Sequence, residues 1–530
     1  MDNRDELKIL VFLCNWGPHA AFQALQDAGN PVLSRLRMVR VPCSGRMTKA
    51  LMFKPFEMGA DGVVLLGCGE GSCRYGVGTS TARNNVEDTR EILDMLGLSG
   101  ERLAHAHFRE EESEGMLAFL ADFLARVEGL GKSPIRPHPV AEAAAEPAER
   151  IREIVKAHDV FACQDCGKCT SACSLTLAGK PFSPRAMASS LISGDFESEA
   201  VTKGIWACLT CGLCYDRCPS AVNFPEFVRE VRAVLYDAGL KGVTAHDGFF
   251  QSLSRAMTSK DLGFKRWDWL SPDLSLDPSG KTLFFGGCAP FFDVFFRHSL
   301  KVNTRKILED SIRLMNFFDI KPMVLENERC CGHDLLVSGD RENFLALARQ
   351  NAAAINDSGA EEVVVACPEG YRALTQDYPR EGAPINIPVT HILDLVERNV
   401  AKGAVAFKSK GQKFTFQDPC RLSRHAGLSA LPRQLLARFG RSALKEMPRK
   451  GTGAVCCGNS AWTGCDGFSK ALQVERLKEA RSTGASLLVT ACPKCQIHLA
   501  CAMNDPFMKK DLEMEMEDIT CLLSKTIYWE

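Results

Sequence analysis

Short apolar runs that end on cysteine or glycine are the most regular pattern in this chain. Three lie in the first hundred residues: "VFLCNWG" (11–17), "VRVPCSGR" (39–46) and "VVLLGCGEGSCRYGVG" (63–78). Each reads as a buried strand breaking into a loop. The same pattern returns at "EEVVVAC" (361–367) and "ASLLVTAC" (485–492), rich in Val and Leu and followed at once by helix-like sequence. Alternation of strand and helix predicts α/β folding, with the loops at the strand ends as the places for chemistry.

Between these stretches the pattern weakens in two places. "GKSPIRPHPVAEAAAEPAER" (131–150), rich in Pro and Ala, reads as a linker entering a helix near residue 145, and "SPDLSLDPSGK" (271–281) as a second joint. The expected organisation is a head over 1–130, a linker over 131–150, a helical segment over 151–240, a connecting segment over 241–280, and two α/β copies over 281–405 and 406–530. The fold class is therefore α/β and α+β multidomain, with a flavodoxin-like sheet in the head.

Length and charge narrow the picture. At 530 residues one compact core is excluded, and a formal net charge of -1 gives no reason to expect nucleic acid. The greasiest stretch, "FFGGCAPFFDVFF" (284–296), is cut by Gly, Pro and Asp, short of the ~18 residues of a membrane helix. The beginning, "MDNRDELKILVF", carries acids and lacks a signal-peptide pattern, so the cytoplasm is the expected location. In that reducing compartment 24 cysteines are too many for disulfides, and metal-bound thiolates are the expectation.

Cysteine spacing identifies the metal chemistry. "CQDCGKCTSAC" (163–173) and "CLTCGLCYDRCP" (208–219) are both C-x2-C-x2-C-x3-C, the spacing of two-cluster bacterial ferredoxins. Cys163, Cys166, Cys169 and Cys218 are expected on one 4Fe-4S cubane; Cys208, Cys211, Cys214 and Cys173 are expected on the other. Gly167 and Gly212 fall where the tight loop needs a small residue. Ser174 stands where the second motif has Pro219, which leaves the ligand count unchanged.

The two α/β copies form an internal repeat. "KTLFFGGCAPFF" answers to "KFTFQDPCRLSR", "RCCGHD" to "VCCGNS", and "EEVVVACPEGYRAL" to "ASLLVTACPKCQIHL". The second copy supplies Cys420, Cys456, Cys457, Cys492 and Cys495; the first supplies Cys288, Cys330, Cys331 and Cys367, with Gly370 in the fifth place. Adjacent α-carbons lie about 3.8 Å apart, below the ~4.4–6.8 Å of a relaxed disulfide, so Cys456 and Cys457 are not a natural bridge. Gly458 can supply the sharp turn that lets one site collect both. Five thiolates exceed the four of a cubane or structural zinc and point to a larger, opened cluster.

This half resembles the CCG-repeat half of heterodisulfide reductase, either its B subunit or the matching part of its D subunit. The resemblance implies a noncubane 4Fe-4S cluster on Cys420, Cys456, Cys457, Cys492 and Cys495, at which a disulfide is cleaved in two one-electron steps. For Cys288, Cys330, Cys331 and Cys367 the departure at Gly370 leaves open an altered Fe-S cluster, a zinc ion or an empty site. In the head, Cys14, Cys43, Cys68 and Cys73 suit a 2Fe-2S cluster or zinc by number alone. The loops "CNW", "CSGR" and "GC...C.Y" resemble the delta subunit of methyl-viologen-reducing hydrogenase, which implies 2Fe-2S; Gly17 stands where that family usually has a fifth cysteine. The glycine-rich loop is not a dinucleotide site, since after Gly67 and Gly69 the third required glycine is Ser72.

Together these features imply the iron-sulfur and catalytic subunit of a heterodisulfide reductase-like complex, of a kind that can bifurcate electrons, acting on a disulfide or dithiol. No flavin or nicotinamide motif appears, so the implied partners are an upstream dehydrogenase or hydrogenase and a flavoprotein resembling the A subunit of heterodisulfide reductase. CCG repeats behind a ferredoxin segment also resemble iron-sulfur subunits of anaerobic glycerol-3-phosphate or lactate dehydrogenases, and a zinc-bearing scaffold is a further alternative. Iron analysis separates them: about 14 atoms per chain, or about 18 with the first copy filled. Cys465, Cys501 and Cys521 read as buried, unliganded thiols. His333 reads as a satisfied loop histidine, with proton donation to a substrate thiolate as the alternative, and His425 and Lys494 as solvated residues or supports to the second-copy ligands, with proton donation or electrostatic assistance as the alternative.

Overall fold

A computed structural model describes residues 7–69, 71–137, 146–403, 405–408, 411–440 and 442–529. The chain divides into two compact units, one of residues 1–140 and 246–269, the other of 141–245 and 270–530.

In the first unit β1 (Ile9–Cys14), β2 (Leu36–Val41), β3 (Gly62–Cys68) and β4 (Leu103–Phe108) form one parallel sheet in the order β2-β1-β3-β4. Every residue of β3 is buried, as a central parallel strand covered on both faces requires. Helices Gly17–Asp27, Lys49–Glu57, Gly78–Met95 and Ser113–Leu130 supply the cover. A fifth helix, Phe249–Ala256, comes from the stretch expected to be a connecting segment. It packs on Lys49–Glu57 through Phe53 and Phe249, whose rings are 5.3 Å apart, and through an Arg255–Glu57 ion pair of 2.6 Å.

The second unit starts with helices Pro147–Ala157, Pro184–Ser193 and Phe224–Asp237 around a shared apolar core. Two small parallel sheets follow. The first holds β5 (Thr282–Phe285), β6 (Glu362–Val365) and β7 (Val389–His391) in that order. After β8 (Val405–Phe407), the second holds β9 (Phe414–Phe416), β10 (Leu487–Thr490) and β11 (Glu515–Asp518). The last strand, β12 (Ile527–Trp529), pairs antiparallel with β8. By element order β8 follows β7 and a helix as β12 follows β11 and a helix, so the closing strands of the two copies pair with each other. Among the described residues no helix is long and apolar enough to cross a membrane.

Candidate iron-sulfur sites

In the first unit all four predicted cysteines collect at the carboxyl ends of strands. Cys14 ends β1, Cys68 ends β3, Cys43 follows β2, and Cys73 lies in the loop before helix Gly78–Met95. The sulfurs of Cys14 and Cys68 are 3.4 Å apart. A Cβ on Gly78 would come within 2.9 Å of the sulfurs of both Cys43 and Cys73 and one on Gly45 within 2.5 Å of Gly78 Cα, so two bare backbones must meet for these thiols to converge. Burial and the Cys14 contact push the Cys68 thiol up to about 12. Cys73 goes the other way: burial raises it, but the N–H groups of Tyr75, Gly78 and Thr79 outweigh that and favour the thiolate. A Cβ at Gly17 would sit 2.9 Å from Phe108 O, so this backbone has no room for a fifth cysteine there.

In the second unit the two ferredoxin-type loops repeat one geometry. Gly167 and Gly212 are left-handed (φ +73° and +82°), and so are Asp165 and Thr210 two residues earlier in each loop. Cys173, Cys208, Cys211 and Cys214 line one pocket, walled by Leu175, Phe182, Leu213 and Phe224. Burial raises the thiols of Cys173 and Cys214 and pushes Cys208 up to about 12. Of the other set, Cys163 and Cys169 lie beside one another, Cys163 and Cys218 pack against the same apolar core, and Cys166 is exposed.

The two copies bring their cysteines into neighbouring arrays. Cys288 and Cys330 sulfurs are 2.9 Å apart and Cys331 bonds Cys330. In the second copy the thiols link in the order Cys420, Cys456, Cys457, Cys495, Cys492. Cys367 of the first copy bonds Cys492 of the second and also interacts with Cys331, so the arrays touch. Hydrogen bonds from Cys456 and Cys495 lower Cys457 to about 6, and those from Cys367 and Cys495 hold Cys492 well below its ordinary value. Cys457 Sγ also lies 3.2 Å from His498 Nδ1.

Beside the first-copy thiols is a pocket that Gly370 leaves without a fifth sulfur. Lys494 enters it from the second copy, buried, pairing with Asp334 and, at 2.6 Å, with Glu369. Glu369 and Lys494 occupy the same place in C-P-E-G and C-P-K-C, so opposite charges meet across the repeat. Lys494 holds the Glu369 carboxyl down at about 2, while burial and the Glu369 charge raise Asp334. The solvated alternative for Lys494 therefore fails: it is 4% exposed.

His425 is equally engaged, contacting Arg372, Arg421 at 2.8 Å and Thr210 O at 3.1 Å. His333 is buried at a helix start, 3.7 Å from Glu369 and 3.3 Å from Arg421 Nε. Cys521 is buried as expected, but Cys501 is half-buried with Lys470 Nζ 3.2 Å from its sulfur, and Cys465 is exposed. Cys465 lies in the turn just before helix Gly467–Ser482, outside the packed faces.

Sequence reading missed the arginines that join the modules. Arg421 donates to Thr210 O, to Thr210 Oγ1 (2.6 Å) and to Ser460 Oγ (3.2 Å) from the π-helical turn Arg421–His425. Buried Arg232 donates to the carbonyls of Ile205 (3.0 Å), Cys208 (2.6 Å) and Val337 (3.0 Å). The contacts are to carbonyls and hydroxyls distant in sequence, which no local motif announces.

Three families match along the chain: methyl-viologen-reducing hydrogenase, delta subunit, over residues 9–131; 4Fe-4S dicluster domain over 139–222; and cysteine-rich domain over 282–374 and 414–500. The D subunit of a dihydromethanophenazine:CoB--CoM heterodisulfide reductase from Methanosarcina acetivorans is 29% identical, covering 62% of this chain and 80% of the relative. An EtfAB:quinone oxidoreductase of Syntrophomonas wolfei is 26% identical over 56% of this chain and 43% of its own length. The B subunit of a fumarate reductase (CoM/CoB) from Methanothermobacter marburgensis is 24% identical over 64% and 67%.

Proposed function

We propose, from the premise that this chain joins a domain of the hydrogenase delta type, a 4Fe-4S dicluster domain and the paired cysteine-rich domains found in the D subunit of heterodisulfide reductase, that it reduces a disulfide, or oxidises a dithiol, at its second cysteine-rich copy. It is an oxidoreductase of a complex-forming kind. The observation that carries the reading is the contiguous run of five thiols, half-buried Cys420 and buried Cys456, Cys457, Cys495 and Cys492, with the Cys208–Cys211 loop bonded to it through Arg421.

The donor sets suit iron-sulfur clusters. The Cys173, Cys208, Cys211 and Cys214 pocket has four soft thiols in an apolar wall, and the second copy brings five into contact, donor sets that suit clusters bound by thiolate sulfur. When bound, the clusters would supply one-electron transfer and, at the five-thiol set, an iron position for the substrate's sulfur. Cys14, Cys43, Cys68 and Cys73 would hold the 2Fe-2S group; Cys163, Cys166, Cys169 and Cys218 would hold the second cubane. The head sheet follows the first four strands of flavodoxin-type winding, 2-1-3-4, which supports that reading of its fold. Around the five-thiol set, Cys367 and the paired Lys494 form the side facing the first copy, and Trp462 and His498 pack at 5.3 Å to close another side against water. A flavoprotein partner and electron bifurcation belong to the same proposal.

One observation favours a quinone-linked role instead, the likeness to EtfAB:quinone oxidoreductase over 56% of this chain. A zinc scaffold finds less support: the second copy gathers five thiols, one more than a structural zinc ion uses. The deciding experiment is anaerobic purification followed by iron and sulfide analysis and viologen-coupled disulfide reduction. Ala in place of Cys456 and Cys457 should abolish turnover and leave the two cubane EPR signals. Undiminished turnover would refute the proposal.

A further inference from the structure

Arg424 has an unusual set of partners. Its Nε donates to Cys211 O at 2.7 Å, in the ferredoxin-type loop, and its Nη1 donates to Thr452 O at 2.8 Å and Ala454 O at 2.9 Å, two residues before Cys456. One guanidinium therefore fixes the backbone beside a ligand of each of two sites. Its Nη2 is buried and, among the described residues, has no hydrogen-bond partner. A buried N–H of a cation without an acceptor is costly, so such a group usually has a partner that the polypeptide does not supply. The charge of Arg424 interacts with the sulfurs of Cys211, Cys420 and Cys456 and with Asp216, and Cys211 and Cys456 interact with each other.

A cluster held by thiolates carries net negative charge, and reduction adds another. A cation in a poorly screened interior favours the reduced form, and N–H groups donated to sulfur act in the same direction. Arginine stays charged under all conditions of interest, so the effect is constant with pH. We infer that Arg424 is a positioning residue shared by the Cys211 centre and the Cys420/Cys456 centre, its Nη2 donating to cluster sulfur and its charge raising the reduction potential of both. This rests on the proposed function, in that both sites must hold clusters. Its consequence is that the two centres are poised together: an electron moving from one to the other stays in the field of the same cation.

The test is a dye-mediated redox titration of full-length, anaerobically purified protein, read by EPR and accompanied by iron analysis. For Arg424→Gln the reduction equilibrium of both centres should fall at least tenfold, which is 59 mV for a one-electron couple. The Cys163 centre and the head centre should move less than threefold. Arg424→Lys keeps the charge and loses the Nη2 donor, so it should shift the same two centres in the same direction by less. Wild-type protein without iron-sulfur signals would refute the proposed function. A full set of wild-type signals with Arg424→Gln unshifted, or with all centres shifted alike, would overturn this inference alone. Should Arg424→Gln lose iron, Arg424→Lys decides: unshifted centres with full iron overturn the donated bond.

Discussion

A single lysine shows how the two copies became unequal. Lys494 and Glu369 occupy one repeat position, and that much was legible in C-P-K-C against C-P-E-G; that they would meet depends on how the copies face each other, which no local pattern encodes. Removing one partner of a buried ion pair leaves the other charge uncompensated, at a cost of about 3–5 kcal/mol. Lys494→Met should therefore lower unfolding stability by roughly that amount in denaturant titration, and the exchange Lys494→Glu with Glu369→Lys should recover more than half of the loss. A second residue predicts a pH effect. His391 caps helix Ile392–Val400 by accepting the Leu393 N–H at 3.3 Å on Nδ1, and burial lowers it from 6.5 to about 4. Between those values the folded state binds fewer protons than the unfolded one. Stability is thus complete above pH 6.5 and falls as pH drops toward 4, by on the order of 3 kcal/mol. Denaturation midpoints at pH 7.5 and 5 should show a steeper loss for wild type than for His391→Asn, which can keep the cap.

At the scale of elements, strand ends carried most of what could be read in advance. β1, β3, β6 and β10 lie where the apolar runs put them, and Cys14, Cys68, Cys367 and Cys492 stand at or just beyond their carboxyl ends. The turn after the paired cysteines was legible too. Gly458 has φ +96°, and a Cβ there would lie 2.6 Å from Ser469 O, inside the neighbouring helix. Gly458→Ala should dislodge the Cys456–Cys457 turn and lower iron by about four atoms per chain, with the two cubane signals unchanged; full iron content would contradict this. Other elements were hidden for a physical reason. The turn Arg421–His425 has no distinctive periodicity, and its arginines are explained by partners such as Thr210, Cys211 and Ala454, hundreds or tens of residues away. Likewise Phe249–Ala256 is a plain amphipathic helix whose partner face, around Phe53, lies some two hundred residues earlier.

For the whole molecule, the return of residues 246–269 to the first unit matters most. Thr48 Oγ1 bonds Asp247 at 3.0 Å, Lys265 N bonds Met95 O at 3.2 Å, and Gly97 approaches Gly263 too closely for any side chain. Burying Phe249 and Phe250 adds roughly 2–3 kcal/mol for each ring. Residues 1–137 expressed alone should therefore aggregate or melt early, and co-expression of a 246–269 peptide should restore a cooperative transition by calorimetry. The polypeptide consequently passes between the units three times, near residues 140, 245 and 269. A protease that nicks the chain once between residues 137 and 146 would separate nothing: two fragments would appear on a denaturing gel, and one undivided particle would elute from a sizing column.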